Sequence, residues 1–288
     1  MGQSGSFAVA DADAGQRLDH VVARLLGVSR AYARKLIAAE QVLLDGRPAA
    51  KGTGLRAGEQ IVVREFARPE DPPQPNASLS LVVVAQANDL VALDKPAGQA
   101  THPLAHEERD TTANALIARF PQLASVGEGG LRSGVVHRLD PGTSGVLVFA
   151  LGDAAWRAAR AAFREKRVEK RYLARVHGAF SGEREVEVAL ESRGARVRVV
   201  SRGGRRALSR IRALDTGREE SVVEVLMRTG VRHQIRASLA HIGFPVVGDA
   251  LYGSTTRLAR HLLHAQSLRW EDFAAEAPPP PELVAPRG

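Results

Sequence analysis

The sequence predicts an α+β protein of two domains joined by a linker, on three observations. A proline-rich, charged run, Arg68-Pro69-Glu70-Asp71-Pro72-Pro73-Gln74-Pro75-Asn76, divides the chain. Proline lacks an amide donor and fixes φ, so this run is neither helix nor central strand. The segment before it carries two helical stripes followed by strands. The segment after it is dominated by strands that do not alternate cleanly with helices, which argues against a doubly wound sheet. The resulting division is a small domain over residues 15–67, a semi-rigid linker over 68–78, a large domain over 79–272 and a flexible tail over 273–288, where Pro278 to Pro281 stand together.

In the small domain Leu18, Val21, Val22 and Leu25 fall at i, i+3, i+4 and i+7, one face of a helix. Ser29 caps a second helix, which carries Arg30, Arg34 and Lys35 outward and Leu36 and Ile37 inward. Val42-Leu43-Leu44 runs as a strand into an Asp45-Gly46 turn, and residues 60–64 form a last strand. In the large domain, residues 81–85 and 90–94 flank a turn. A helix follows Thr111, with Ala113, Leu116, Ile117 and Phe120 on one face. Val135-Val136 and residues 146–149 are short buried strands around a polar turn, and Asp153 caps a helix reaching about Lys166. Later strands occupy 172–176, 185–190, 197–200, 208–214 and 222–227, and residues 233–241 form a helix.

Composition sets limits on function. The chain of 288 residues has 40 Lys+Arg against 32 Asp+Glu, a net charge of +8, which suits a polyanionic partner. With no cysteine, a disulfide scaffold, a thiolate nucleophile and Cys-ligated metal are excluded. No stretch approaches the ~20 apolar residues of a membrane span. The N-terminal residues, acidic at Asp11 and Asp13, resemble no signal or transit peptide, so a cytoplasmic setting is expected. There is no P-loop and no dinucleotide fingerprint. Neither His102 with His106 nor His261 with His264 has a clustered carboxylate, so no metal site is expected.

The segment richest in chemistry is Val135-Val136-His137-Arg138-Leu139-Asp140-Pro141-Gly142-Thr143-Ser144-Gly145, a polar turn between apolar strands. An ordinary turn in which Asp140 caps the local backbone is the competing reading. A phosphatase-type aspartate needs a second carboxylate two residues on, where Gly142 stands. A hydrolase elbow needs Gly-x-Ser-x-Gly, which is absent around Ser144.

His137-Arg138-Leu139-Asp140 followed by Thr143-Ser144-Gly145 resembles the signature of the RluA/RluD-type pseudouridine synthases. Four further segments agree in order: Leu93-Asp94-Lys95-Pro96-Ala97-Gly98 with His102-Pro103; Lys170-Arg171-Tyr172-Leu173-Ala174; Thr229-Gly230-Val231-Arg232-His233-Gln234-Ile235-Arg236 with Gly248-Asp249 and Tyr252-Gly253; and Leu263-His264-Ala265. The small domain resembles the S4 RNA-binding domain through Arg17-Leu18-Asp19, Ser29-Arg30, residues 41–46 and residues 58–61, departing at Glu40 and Asp45, where that family prefers Gly and Asn. The catalytic segments depart at Pro141-Gly142, at Val231 and at Ser238.

The resemblance implies a catalytic domain with a mixed, mainly antiparallel sheet, and isomerisation of uridine in structured RNA to pseudouridine without a cofactor or metal. The target implied is most readily large-subunit ribosomal RNA. A tRNA-directed enzyme of the same type, or a catalytically silent ribosome-assembly factor, are the alternatives. A DNA-binding regulator lacks a recognition-helix module. It further implies Asp140 as nucleophile or base, Arg236 as its ion-pair partner, Tyr172 against the flipped uracil, Ile235 in an apolar pocket floor, and Arg138 filling the space the base vacates, with His137 beside it. Arg30, Arg34 and Lys35 would contact RNA in the small domain. Residues 193–218 hold nine arginines and one acid, and Arg196, Arg198 and Arg202 are expected on one RNA-facing surface. The expected partner is RNA, with no membrane and no nucleotide, and a monomer is expected.

Overall fold

A computed structural model describes residues 4–284, which fall into two compact units dividing between Asp71 and Pro72. In the small unit β1 (Gly5–Ala8), α1 (Leu18–Leu26), α2 (Arg30–Ala38), β2 (Val42–Leu44), β3 (Arg47–Pro48) and β4 (Gln60–Val63) follow in order. The strands form an antiparallel sheet, β1-β4-β2-β3. Leu18, Val21, Val22, Leu26, Leu36 and Ile37 pack against Val42, Ile61 and Val63. Leu26, not Leu25, completes the buried stripe of α1. Ser29 caps α2 by accepting from the Tyr32 amide at 3.2 Å. Asp45 and Gly46 are both left-handed, as a two-residue hairpin turn requires. Glu40 also has positive φ, 55°, which gives a physical reason for the glycine that related domains prefer there. The unit extends further toward the N-terminus than the sequence indicates, because β1 pairs with β4.

The large unit contains β5 (Val82–Ala87), β6 (Leu90–Lys95), α3 (Thr112–Arg119), β7 (Ser144–Ala150), α4 (Asp153–Arg164), β8 (Glu169–His177), β9 (Glu183–Arg193), β10 (Arg196–Val200), β11 (Arg205–Thr216), β12 (Glu220–Met227), α5 (Gln234–His241), β13 (Leu263–Trp270), β14 (Phe273–Glu276) and α6 (Pro281–Val284). The sheet runs β10-β9-β11-β12-β8-β13-β7-β6-β5, with β14 on β13, and only the β7–β13 pair is parallel. The sheet is thus mixed and mainly antiparallel. Thr111 and Asn114 close a reciprocal capping box on α3.

Several expectations are corrected. Within the described residues the tail is structured: β14 pairs with β13, and Leu283 is buried against Leu173 and Val222. Apolar residues at alternate positions, Phe273 and Ala275, give that strand its buried face. Residues 285–288 lie outside the described residues. The second half of the linker is tied down, because Asn114 donates to the Gln74 carbonyl at 2.7 Å and Asn76 to the Arg109 carbonyl at 3.0 Å. Val135 makes only an isolated bridge to Phe149 and Val136 lies outside any strand. Gly152, not Asp153, occupies the N-cap of α4, while the Asp153 carboxylate accepts from the Gly127 amide. Arg196 and Arg198 share an exposed face of β10, but Arg202 lies in the turn after it.

Candidate active site

Strand register brings segments far apart in sequence into one row. Lys95 on β6 lies opposite Gly145 on β7, Gly145 opposite Ala265 on β13, and Ala265 opposite Tyr172 on β8. Gly145 has φ 106°, and a side chain there would collide with the Ala265 backbone. Asp140 lies in the turn that enters β7.

The segment 95–101 clamps that turn. The Thr101 hydroxyl donates to the Leu139 carbonyl at 3.1 Å and accepts from the Leu139 amide at 3.2 Å. The Gly98 amide donates to the Pro141 carbonyl at 2.8 Å. Lys95, fully buried, donates from Nζ to the carbonyls of Pro96, Gln99 and Pro141 at 2.7, 2.8 and 3.2 Å. Burial pulls its pKa down to about 7, with the Asp140 charge opposing. Three carbonyl acceptors need three N–H donors, which only the ammonium supplies. The Pro141-Gly142 departure also has a local reason. A Cβ at Gly142 would press on the His261 ring, whose Nε2 is 2.8 Å from the Thr143 hydroxyl.

Arg236, on α5, is the centre of the site. Its Nε and Nη2 donate to the two oxygens of Asp249 at 2.6 and 2.8 Å, and Nη1 donates to Asp140 Oδ2 at 2.9 Å. Asp249 is buried and Arg236 is 8% exposed, whereas Asp140, at 15%, retains access to the cleft. Burial alone would weaken the charge on Arg236, but its hydrogen bonds and proximity to Asp249 and Asp140 outweigh this and raise its pKa. His233 Nε2 lies 3.7 Å from the same Asp140 oxygen. Burial holds the imidazole pKa below its usual value, Asp140 opposes this, and Arg236 and Arg232 add to it. His233 Nδ1 is 2.9 Å from the Tyr252 hydroxyl, whose ring lies under the Arg236 guanidinium at 5.1 Å.

Asp140 opens onto a cleft of about 1000 Å3 with Tyr172, Met227, Ile235 and Leu263 in its apolar wall. Tyr172 is buried, and burial, reinforced by the Asp140 charge, raises its pKa, so the phenol stays protonated. It presents a ring face that can stack on a base and a hydroxyl hydrogen that it can donate. Ten Lys/Arg side chains line the cleft and Asp140 is its one acid, which suits a polyanion. Arg138 is exposed there and makes no ion pair among the described residues. Arg157, Arg160 and Arg164 line the cleft from α4 at i, i+3 and i+7, a basic stripe that the helical spacing alone would have marked.

His137 lines the cleft with much of its ring engaged by the protein itself. Its Nε2 accepts from the Val148 amide at 3.0 Å and its ring stacks on Phe163 at 4.8 Å. Burial lowers its pKa to about 3, so it is neutral with its hydrogen on Nδ1. Any polar contact with a ligand is left to Nδ1. Sequence reasoning also assigned no role to Asp249, His233, Tyr252 or Lys95, although each lies in a quoted segment. Of the remaining departures, Val231 packs at the cleft wall, and Ser238 is buried with its hydroxyl unpaired among the described residues.

In the small unit the three predicted cations lie on or beside the exposed face of α2, with Arg30 as its first residue. Asp19, closed to solvent, accepts from Arg17 at 3.0 and 3.3 Å and lies 3.9 Å from Arg34. Among the described residues no cluster of three or more His, Asp or Glu side chains is placed to hold a metal ion, and no helix is long and apolar enough to cross a membrane.

Comparison with known proteins decides the family. The RNA pseudouridylate synthase profile matches residues 89–241, and the S4 domain profile matches residues 16–61. The chain belongs to the RNA pseudouridine synthases. It is 36% identical to an uncharacterised RNA pseudouridine synthase of Chloroflexus aurantiacus, over 93% of this chain and 89% of that one. It is 34% identical to the ribosomal large subunit pseudouridine synthase D of Xanthomonas campestris, over 96% and 89%. The fold resembles that of human RNA pseudouridylate synthase domain containing 1, with a TM-score of 0.58 and 27% identity over 74% of this chain and 89% of that one. The pseudouridine synthase fold thus follows an S4 domain, and the protein is an isomerase.

Proposed function

We propose that this synthase modifies uridines in large-subunit ribosomal RNA, with Asp140 as the reacting carboxylate. The observation that carries the site assignment is the Arg236 guanidinium, whose Nη1 donates to Asp140 while its Nε and Nη2 are fixed on buried Asp249. A carboxylate at the sugar–base junction acts as nucleophile or base, and the guanidinium fixes one of its oxygens in place.

In the reaction the N1–C1′ bond breaks, the uracil turns over, C5 bonds to C1′, the C5 proton leaves and N1 gains one. Tyr172 lies against the turned-out uracil, and Ile235 shapes the apolar floor. Arg138, at the cleft mouth, fills the stack the base has left. Flipping costs a few kcal/mol and least in loops, which fits a cleft lined with cations rather than one that reads a duplex. The ribosomal target rests on three relatives named ribosomal large subunit pseudouridine synthase D, from Xanthomonas, Xylella and Neisseria, and on the S4 domain with Arg30, Arg34 and Lys35. The enzyme acts as a monomer in the cytoplasm. Its test is a map of pseudouridines in cells with and without this protein. Loss of sites in large-subunit ribosomal RNA is expected, and loss confined to tRNA would reassign the substrate.

A further inference from the structure

We propose that His233 and Tyr252 are positioning residues that aim Asp140 by its Oδ2, anchored on the β9–β10 hairpin, and leave Oδ1 as the oxygen that reacts. This rests on the reading of Asp140 as the reacting carboxylate.

The placement of hydrogens decides the direction of each bond. The Tyr252 oxygen accepts from the Val197 amide at 2.8 Å and lies 2.9 Å from His233 Nδ1. The amide supplies one hydrogen to that oxygen. The phenol's own hydrogen then needs an acceptor, and among the described residues His233 Nδ1 is the one in reach. On this assignment Nδ1 accepts, and the neutral imidazole carries its hydrogen on Nε2. That N–H faces Asp140 Oδ2 at 3.7 Å, beyond hydrogen-bond length but favourable in sign. Catalytic contacts of this kind commonly tighten when substrate closes the site. The other tautomer would turn a lone pair toward a carboxylate. Arg236 Nη1 donates to the same Oδ2, and Oδ1 accepts from no side chain among the described residues.

Two features make the arrangement a device rather than a chance contact. His233 holds a left-handed backbone, φ 53°, which is uncommon outside glycine and clusters at functional sites. The hairpin is gripped from the same segment. Arg232, next to His233, donates to the carbonyls of Gly194 and Ala195 at 2.9 and 3.0 Å, in the turn that leads into the edge strand carrying Val197. Anything that seats the exposed cations Arg196 and Arg198 on that strand therefore bears on the amide that sets the Tyr252 hydrogen.

The test is a double-mutant cycle on turnover of unmodified RNA. Tyr252→Phe keeps the ring but removes the hydroxyl, so nothing fixes the His233 tautomer. Misplacing a reacting group by an ångström can cost about 100-fold, so kcat is expected to fall by up to roughly that factor, with KM unchanged. His233→Gln presents an amide N–H without depending on Tyr252. In that background Tyr252→Phe should cost nothing beyond about twofold, the usual error of additivity. Penalties that multiply, or a Tyr252→Phe loss wholly in KM, would overturn the proposal. Nitrogen chemical shifts of the His233 ring in the wild-type protein test it independently of any variant: Nε2–H is expected, and Nδ1–H contradicts it. If Asp140→Asn is active, the reading of the site itself fails; if it is inactive and the penalties multiply, only this inference falls.

Discussion

The two units hold the same clasp and use it differently. In each, an arginine grips a buried aspartate side-on through Nε and Nη2: Arg236 on Asp249 at 2.6 and 2.8 Å, and Arg17 on Asp19 at 3.0 and 3.3 Å. The third nitrogen differs. Arg236 is 8% exposed and turns Nη1 onto a second carboxylate, Asp140. Arg17 is 47% exposed and makes no hydrogen bond through Nη1 among the described residues. A buried aspartate thus fixes a guanidinium in both places. In the large unit the fixed cation faces the group proposed to react; in the small unit it is left half exposed at the surface. The lesson is that a buried ion pair is read by where its spare donor points.

The largest effect that would sharpen this contrast is on stability. Arg236→Ala leaves Asp249 buried without a partner and Asp140 without its donor. Breaking a buried pair in this way costs about 3–5 kcal/mol. A large fall in melting temperature without RNA is expected, together with loss of activity. Arg17→Ala should lower the melting temperature less, because Asp19 keeps Arg34 at 3.9 Å and its covering side chains are half exposed. Equal losses would break the comparison.

A middle-sized effect is expected in acid. Burial holds His137 at about 3 and His261 at about 4, against 6.5 for free histidine. Unfolded chains therefore bind protons that the folded large unit does not, and stability is lost as pH falls from 6.5 toward 4. Asp19, whose pKa Arg17 lowers through its hydrogen bond against the cost of burial, destabilises the small unit only below the ordinary carboxylate value of 3.8. Both tryptophans, Trp156 and Trp270, lie in the large unit, so their fluorescence reports it alone. His137→Asn should flatten the change between pH 6.5 and 4. An unchanged slope would assign it to other groups.

The smallest effects concern affinity. Arg17→Ala, or Arg30, Arg34 and Lys35 changed together to Ala, should weaken RNA binding and leave turnover at saturating RNA intact. For every phosphate no longer neutralised, the log–log salt dependence of binding flattens by about 0.7–0.9. An unchanged slope would remove these residues from the RNA-binding surface.

How much of this was legible follows from distance along the chain. The α1 stripe, the Ser29 cap and the Thr111 capping box are local, and each can be read from a few neighbouring residues. Asp140 stands out because its segment is dense in polar residues between apolar strands, whereas Arg236 is marked only by the resemblance of its segment to the family's motif. Asp249 was invisible as a partner because it meets Arg236 through folding 13 positions away, with nothing local to mark it. The local bonding of His137 was likewise not legible: it lines the cleft, but its Nε2 accepts from the Val148 amide and its ring stacks on Phe163, partners that folding brings from other segments. The tail misled because four prolines overshadowed Phe273, Ala275 and Leu283, whose burial depends on strand β13 and on Leu173.

If the clasp on Arg236 exists to hold Asp140 in place for chemistry, Asp140→Asn tests that role most directly. Asparagine keeps nearly the same shape and removes only the charge. Pseudouridine formation in ribosomal RNA from cells lacking the enzyme is measured beside direct RNA binding. Turnover should drop to background, and RNA affinity should be equal or slightly tighter, since a negative charge has left a cation-lined cleft. Conversion at a substantial fraction of the wild-type rate would contradict the role assigned to Asp140.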